Sequence, residues 1–141
     1  MIVDIGTILL NVESNKLKKI SFSNEKSYEE LTENNFTKQI IEYLKGKRKF
    51  FDFEVELKGG PVFLKIWNYV RKIPYGETMT YGEVAKVLNL NPRIIGFAMK
   101  ANLLPIYIPC HRVVGKNDIG GFSGGIKWKK FLLELEKKYI R

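Results

Sequence analysis

The sequence predicts a mixed α/β (α+β) chain. A small N-terminal antiparallel sheet with one helix should precede a mostly helical C-terminal domain containing a helix-turn-helix. Three observations lead there. Short β-branched runs separated by turn residues fill the early part, whereas from residue 61 onward apolar residues recur at i, i+3, i+4, i+7. Lys58-Gly59-Gly60-Pro61 interrupts both patterns. Charge also changes sign there: residues 1–57 carry 9 basic and 10 acidic side chains, residues 58–141 carry 15 and 5. The predicted domains are therefore 1–57 and 58–141.

Ile2–Ile5, Thr7–Val12 and Leu17–Phe22 read as strands, with Gly6 and Ser14-Asn15 as turn signals between them. From Ser27 to about Lys45 the pattern becomes helical: Phe36, Ile40, Tyr43 and Leu44 form one face, and Gly46 ends it. Phe51, Phe53, Val55 and Leu57 alternate with Asp52, Glu54 and Glu56, which predicts a half-buried strand.

Beyond the boundary, Phe63, Ile66, Trp67 and Val70 make a helical stripe behind Pro61. Ile73-Pro74-Tyr75-Gly76 ends that helix. Thr80 and Glu83 have capping-box spacing, so Thr80 should start a helix holding Val84, Ala85 and Leu88. Asn91-Pro92 signals the next start, for a helix reaching about Ala101. Two short helices joined by Asn89–Asn91 have helix-turn-helix spacing. Ile106–Ile108 and Val113–Val114 read as extended, the Gly-rich stretch 115–125 as a loop, and Trp128, Phe131, Leu132 and Leu135 as the stripe of a final helix.

The 141 residues are 45% hydrophobic and 28% charged, an ordinary globular balance that excludes collagen-like and disordered classes. No apolar run approaches the roughly 20 residues of a membrane span. The first residues lack the basic stretch of a secretory leader, which predicts a cytoplasmic protein. One cysteine excludes an internal disulfide, and one Cys with one His argues against a structural zinc. The net +10 of residues 58–141 suggests a polyanionic partner, nucleic acid before an anionic membrane surface. A Lys-rich solubilising surface is the competing account.

The chemistry concentrates in Pro109-Cys110-His111-Arg112-Val113-Val114. A Cys among apolar neighbours is ordinarily an inert core residue. Here the only His adjoins it and an Arg follows, a cationic setting that favours thiolate and so a nucleophile. In an extended segment, adjacent side chains point to opposite faces. Either the backbone turns here or a water carries the proton from Cys110 to His111. Glu134 and Glu136 on the last helix are the carboxylates available to orient the imidazole.

Ile108–Val114 resembles the active-site signature of the O6-alkylguanine-DNA alkyltransferases, DNA-repair proteins consumed by their own reaction. Further stretches are similar to that family in order and spacing: Ile73–Ala85 to the approach to its helix-turn-helix, and Asn91–Met99 to its recognition helix. Phe122-Ser123-Gly124-Gly125 and Leu132–Glu136 resemble its closing elements. The resemblance spans about residues 61–136, and residues 1–57 add little to it.

The resemblance implies a role for each matching position. Cys110 is the alkyl acceptor, His111 takes the thiol proton through a water, and Glu136 orients that His. Tyr81 donates to N3 of the departing guanine, while Ser123 and Lys129 lie near its O6. Arg93 is a finger inserted where the damaged nucleotide leaves, and Asn102 a hinge between the DNA-binding helices and the active-site segment. The carbonyls of Cys110 and Val113 accept from the guanine amino group. Small residues such as Gly96, Ala98 and Ala101 let the recognition helix approach a minor groove.

Some positions depart from the family pattern. Leu103 replaces a common Pro, Phe122 replaces a common Tyr, and Asn91-Pro92 lies closer to Arg93 than in some relatives. No metal ligands occur in residues 1–57 of the kind some relatives use, so neither metal nor cofactor is expected. The reading is a monomer that moves an alkyl group irreversibly from O6 of guanine in double-stranded DNA to Cys110, flipping the nucleotide, with no membrane partner. Two competitors are an alkyltransferase-like protein that binds lesions without transfer and a cysteine hydrolase. The acceptor Cys110 counts against the first, and the lack of an oxyanion-hole motif against the second.

Overall fold

The computed structural model describes residues 1–3, 5–26, 33–122 and 124–140. The chain forms two compact units, Met1–Leu57 and Lys58–Arg141.

In the first unit β1 (Ile2–Val3), β2 (Gly6–Glu13) and β3 (Lys16–Ser23) make an antiparallel sheet in the order β1-β2-β3. Ser14 and Asn15 both take positive φ, 52° and 62°, the geometry that matches the twist of a tight hairpin. A register irregularity falls between Asn11 and Val12. Helix α1 (Asn35–Leu44) starts later than predicted. Asn34 caps it, its Oδ1 accepting from Thr37 N at 2.9 Å while Thr37 Oγ1 accepts from Asn34 N at 3.0 Å. Residues 27–32, the early part of the predicted helix, lie outside the described residues.

The strand predicted over Phe50–Leu57 shrinks to one parallel bridge, Val55 with Leu17. Side chains hold this segment instead of a ladder. Phe53 packs on Phe36 at 5.2 Å between ring centroids and Phe51 on Tyr43 at 5.7 Å, and Asp52 N donates to Gln39 Oε1 at 3.1 Å. Period-two alternation reports burial on one side, and here α1 supplies that burial without a second strand.

In the second unit Pro61 opens α2 (Pro61–Val70) at its first turn. Trp67 Nε1 donates to the Ala98 carbonyl at 2.8 Å, fixing α2 against α4 (Pro92–Ala101). The two-residue strand β4 (Met79–Thr80) runs directly into α3 (Tyr81–Leu88). The capping box forms as predicted, Glu83 N to Thr80 Oγ1 at 3.0 Å and Thr80 N to Glu83 Oε1 at 2.9 Å. Asn89 ends α3 in the left-handed conformation, and Asn91 caps α4 by accepting from Arg93 N at 2.9 Å. Strand β5 (Val113–Val114) pairs in parallel with β4, Met79 with Val113 and Thr80 with Val114. The start of α3 is thus tied to the segment just after Cys110. Helix α5 (Ile126–Tyr139) completes the unit.

Ile106–Ile108 is not extended. Ile106 is buried at φ 77°, a strained value for a β-branched residue, and Ile108 N donates back to the Leu104 carbonyl at 2.8 Å. The chain folds back here and delivers Cys110 into a single 3₁₀ turn, Cys110–Arg112.

Candidate active site

That turn answers the geometrical question raised by the sequence. The backbone bends at Cys110–Arg112, so Cys110 and His111 no longer point to opposite faces of a strand. Both are buried, at 3% and 0% exposure. Cys110 nonetheless lines a cavity of about 610 Å³ with Tyr81, Arg93, Gly96, Phe97, Met99, Lys100, Gly121 and Phe122. The only cysteine is therefore inside the fold yet opens onto a pocket large enough for a purine. Burial pushes its thiol up to about 11; a hydrogen bond from Asn102, the Lys129 charge and backbone N–H groups of the turn oppose this.

His111 Nε2 lies 2.6 Å from Glu136 Oε2. A carboxylate only accepts, so Nε2 carries the proton and, in the neutral ring, Nδ1 keeps a lone pair. Nδ1 has no hydrogen-bond partner among the described residues. Burial lowers the His111 pKa despite the Glu136 charge, with Arg112 and Lys129 adding to the lowering, so the imidazole is neutral near pH 7.

Glu136 is 1% exposed and holds the centre of a charge cluster that the sequence only partly disclosed. Arg112 grips it with Nε to Oε1 at 2.8 Å and Nη2 to Oε2 at 2.9 Å, while Arg112 Nη1 donates to the Ile73 carbonyl at 2.7 Å. Gly76 N donates to Oε1 at 3.0 Å. His111 and Arg112 hold the Glu136 carboxyl well below the usual carboxylate range, outweighing its burial. Glu134 is exposed on α5. Arg112 was singled out in the sequence only as a neighbouring charge; nothing in the spacing showed that it would hold the carboxylate orienting His111.

Tyr81, the first residue of α3, reaches the pocket from the other side. Burial raises its pKa, so the phenol stays protonated and able to donate. The glycine loop must approach it closely: Gly120 sits at φ 73°, and a Cβ there would lie 2.7 Å from the Tyr81 hydroxyl. Arg93 is exposed at the second position of α4 and lines the pocket.

The remaining expected site residues sit elsewhere. Asn102, 3% exposed, braces the loop leading to Cys110: Nδ2 donates to the Ile108 carbonyl at 3.0 Å and Oδ1 accepts from Leu104 N at 2.9 Å. Lys129 is fully buried; its Nζ donates to the Val113 carbonyl at 2.6 Å and the Gly121 carbonyl at 3.0 Å, and burial lowers its pKa to about 8. The Val113 carbonyl thus already accepts one bond, as does that of Cys110, from Val113 N. Ala98 corrects the sequence reading. It is 0% exposed beneath Trp67, so its small size serves the α2–α4 packing and not a groove, whereas Gly96 lines the pocket and Ala101 is exposed. Ser123 lies outside the described residues. Among the described residues no helix is long and apolar enough to cross a membrane, and no His, Cys, Asp or Glu group could hold a metal.

A buried cysteine thus lines a pocket, with a His–Glu–Arg cluster behind it and two short capped helices beside it. Residues 61–138 match the family model described as 6-O-methylguanine DNA methyltransferase, DNA binding domain. The chain belongs to this family.

It is 48% identical over 90 residues to a methylated-DNA–protein-cysteine methyltransferase of Methanocaldococcus vulcanius, covering 64% of this chain and 55% of that protein. It is 36% identical over 141 aligned residues to the protein of that name from Metallosphaera sedula, covering 96% and 90%. The matched region spans about half the length of the Methanocaldococcus relatives. The crystal structure of Mycobacterium tuberculosis OGT in complex with DNA superposes with a TM-score of 0.79 at 33% identity, covering 92% of this chain and 86% of that one. The mixed α/β fold class read from the sequence agrees with these neighbours.

Proposed function

We propose that the chain repairs DNA by taking a methyl or larger alkyl group from O6 of guanine onto Cys110, once per molecule. The observation that carries this reading is the sole cysteine, buried next to a neutral histidine and lining a pocket large enough to admit a purine. A thiol pushed up to about 11 needs a base, and His111 Nδ1 has the lone pair to serve, through a water. The Cys110 sulfur forms a bond to the alkyl carbon as the bond from that carbon to O6 breaks. The thiol proton passes to His111, and Glu136 stabilises the imidazolium.

The departing guanine carries the electron pair as an anion. Tyr81, held protonated, donates to its N3 as charge develops, and the carbonyls of Cys110 and Val113 accept from its amino group. Ser123 and Lys129 take the O6 side, Lys129 by way of the loop carbonyls it holds. The target carbon is inaccessible in a stacked duplex, so the nucleotide is extruded from the minor-groove side and Arg93 fills its place. Asn102 links the helix that docks on DNA to the turn that reacts. The product thioether has no hydrolytic route back, so one molecule repairs one lesion. Residues 1–57 support the domain of residues 58–141, and the protein acts as a monomer in the cytoplasm.

The test is incubation with duplex DNA carrying a radiolabelled O6-methyl group. Label should saturate near one equivalent, on Cys110, and vanish in Cys110→Ala. Lesion binding without label would make it a damage-flagging protein instead. Steady turnover of an ester without lesion binding would make it a hydrolase.

A further inference from the structure

Phe97 is 60% exposed although it lines the pocket that holds Cys110. The buried residues of α4 are Ile95, Ala98 and Met99, so the ring stands on the side away from the core. Arg93, Phe97 and Lys100 recur at i, i+4, i+7, which sets a bare phenyl ring between two exposed cations on one stripe of the helix. Cations suffice for phosphate. The ring adds nothing there and forgoes hydrophobic burial by standing in water.

Its complement is a flat apolar face beside negative charge, which in nucleic acid is an unstacked base next to its phosphates. An intact duplex offers no such face near its groove surface, whereas removing one nucleotide from the stack creates it. We infer that Phe97 is a nucleobase-stacking residue. Beside Arg93 at the pocket rim it receives a base unstacked when the target nucleotide leaves, while Lys100 meets a neighbouring phosphate. This rests on the alkyltransferase reading, which brings a DNA with a displaced nucleotide to the pocket.

Fluorescence anisotropy of the full chain, over a salt series, tests it with a labelled duplex carrying one O6-methylguanine and with a labelled single strand. Phe97→Ala should weaken binding to both by about 5- to 150-fold, the range for losing one aromatic–base stack. Phe97→Trp should restore it. The slope of log affinity against log salt should stay at the wild-type value, because no phosphate contact is lost, whereas Lys100→Ala should reduce it by about 0.9 on the duplex and about 0.7 on the single strand. Wild-type affinity in Phe97→Ala, an equal loss in Phe97→Trp, or a reduced slope in Phe97→Ala would overturn the inference while wild-type transfer of the methyl group left the alkyltransferase reading standing. A wild-type chain that neither binds the lesion duplex nor takes up label overturns both.

Discussion

Arg112 holds both oxygens of the Glu136 carboxylate, at 2.8 and 2.9 Å, from the position next to the histidine that the same carboxylate orients. The fork fixes Glu136 in two directions, so His111 meets an acceptor whose position is set before any substrate arrives. It also spreads the carboxylate charge over two partners. Burial keeps His111 neutral, with its Nδ1 lone pair, despite a carboxylate at 2.6 Å, and the Arg112 charge acts in the same direction.

Removing the fork should therefore be costly. Arg112→Met leaves Glu136 buried with a major partner gone, and breaking such a pair costs about 3–5 kcal/mol. Arg112→Lys keeps the charge but cannot grip two oxygens and reach the Ile73 carbonyl at once, so it should fall between wild type and Arg112→Met. Urea unfolding of the three proteins checks the order. Equal midpoints for Arg112→Met and wild type would show that the cluster contributes nothing to the fold.

The same cluster sets the response to acid. His111 has a lowered folded pKa, so the unfolded chain binds the extra proton first, and stability should start to fall below about pH 6.5. Glu136 is likewise depressed, so its contribution is complete above about pH 4.3 and is lost as pH drops further toward its folded value. Unfolding free energy measured from pH 8 to pH 3 should decline in two stages. In Glu136→Gln, less stable at neutral pH, the lower stage should flatten. A single stage unchanged by that substitution would contradict the assignment.

Much of this architecture was legible in the sequence because it is local. Thr80 with Glu83, Asn91 with Pro92 and Pro61 each define a helix start within four residues, and each start forms where the spacing put it. What the sequence hid depends on partners distant along the chain. Phe50–Leu57 alternates like a strand, but its aromatic rings are buried by α1. The apolar stripe of α5 suggested Trp128, Phe131, Leu132 and Leu135, whereas the fully packed face is Trp128, Lys129, Leu132 and Glu136. Two charged residues face inward there because Val113, Gly121, His111 and Arg112 supply their partners. Hydrophobic periodicity cannot register a buried charge whose partners lie 8 to 25 residues away. The turn at Cys110 was one of two alternatives in the sequence for a related reason: Ile106 and the clamp of Asn102, which precede the bend, do not show as turn signals.

That clamp gives a third expectation. Asn102→Ala removes the donor to the Ile108 carbonyl and the acceptor for Leu104 N, both buried. The Ile108 carbonyl keeps the Cys110 N–H as a donor at 2.7 Å, so Leu104 N is the group left orphaned and a loss of about 1–3 kcal/mol is expected. Because Ile106 at φ 77° is held by this clamp, amide exchange should accelerate first over residues 103–109. Methyl transfer should slow as well, since the segment ends in Cys110. Uniform acceleration across residues 58–141, with no local excess, would mean that Asn102 stabilises the unit only as a whole.

Gly120 offers the sharpest separation of fold from chemistry. Its φ of 73° makes a side chain unfavourable by about 1–2 kcal/mol, and the added carbon would lie 2.7 Å from the Tyr81 hydroxyl. The added carbon meets the far end of the Tyr81 side chain and not backbone, so Gly120→Ala should still fold, losing only about that much stability. The phenol, however, must move from its place in the pocket. A donor displaced by even half an ångström no longer strengthens its bond as charge develops on the leaving base. The expected result is a first-order transfer rate, measured in single-turnover conditions with excess protein, lower by about 10- to 100-fold, with lesion affinity changed far less. Tyr81→Phe should show a similar loss, and adding Gly120→Ala to it should cost little more, because both act through one hydroxyl. Full additivity of the two rate losses would show that Gly120 affects transfer by some route other than Tyr81.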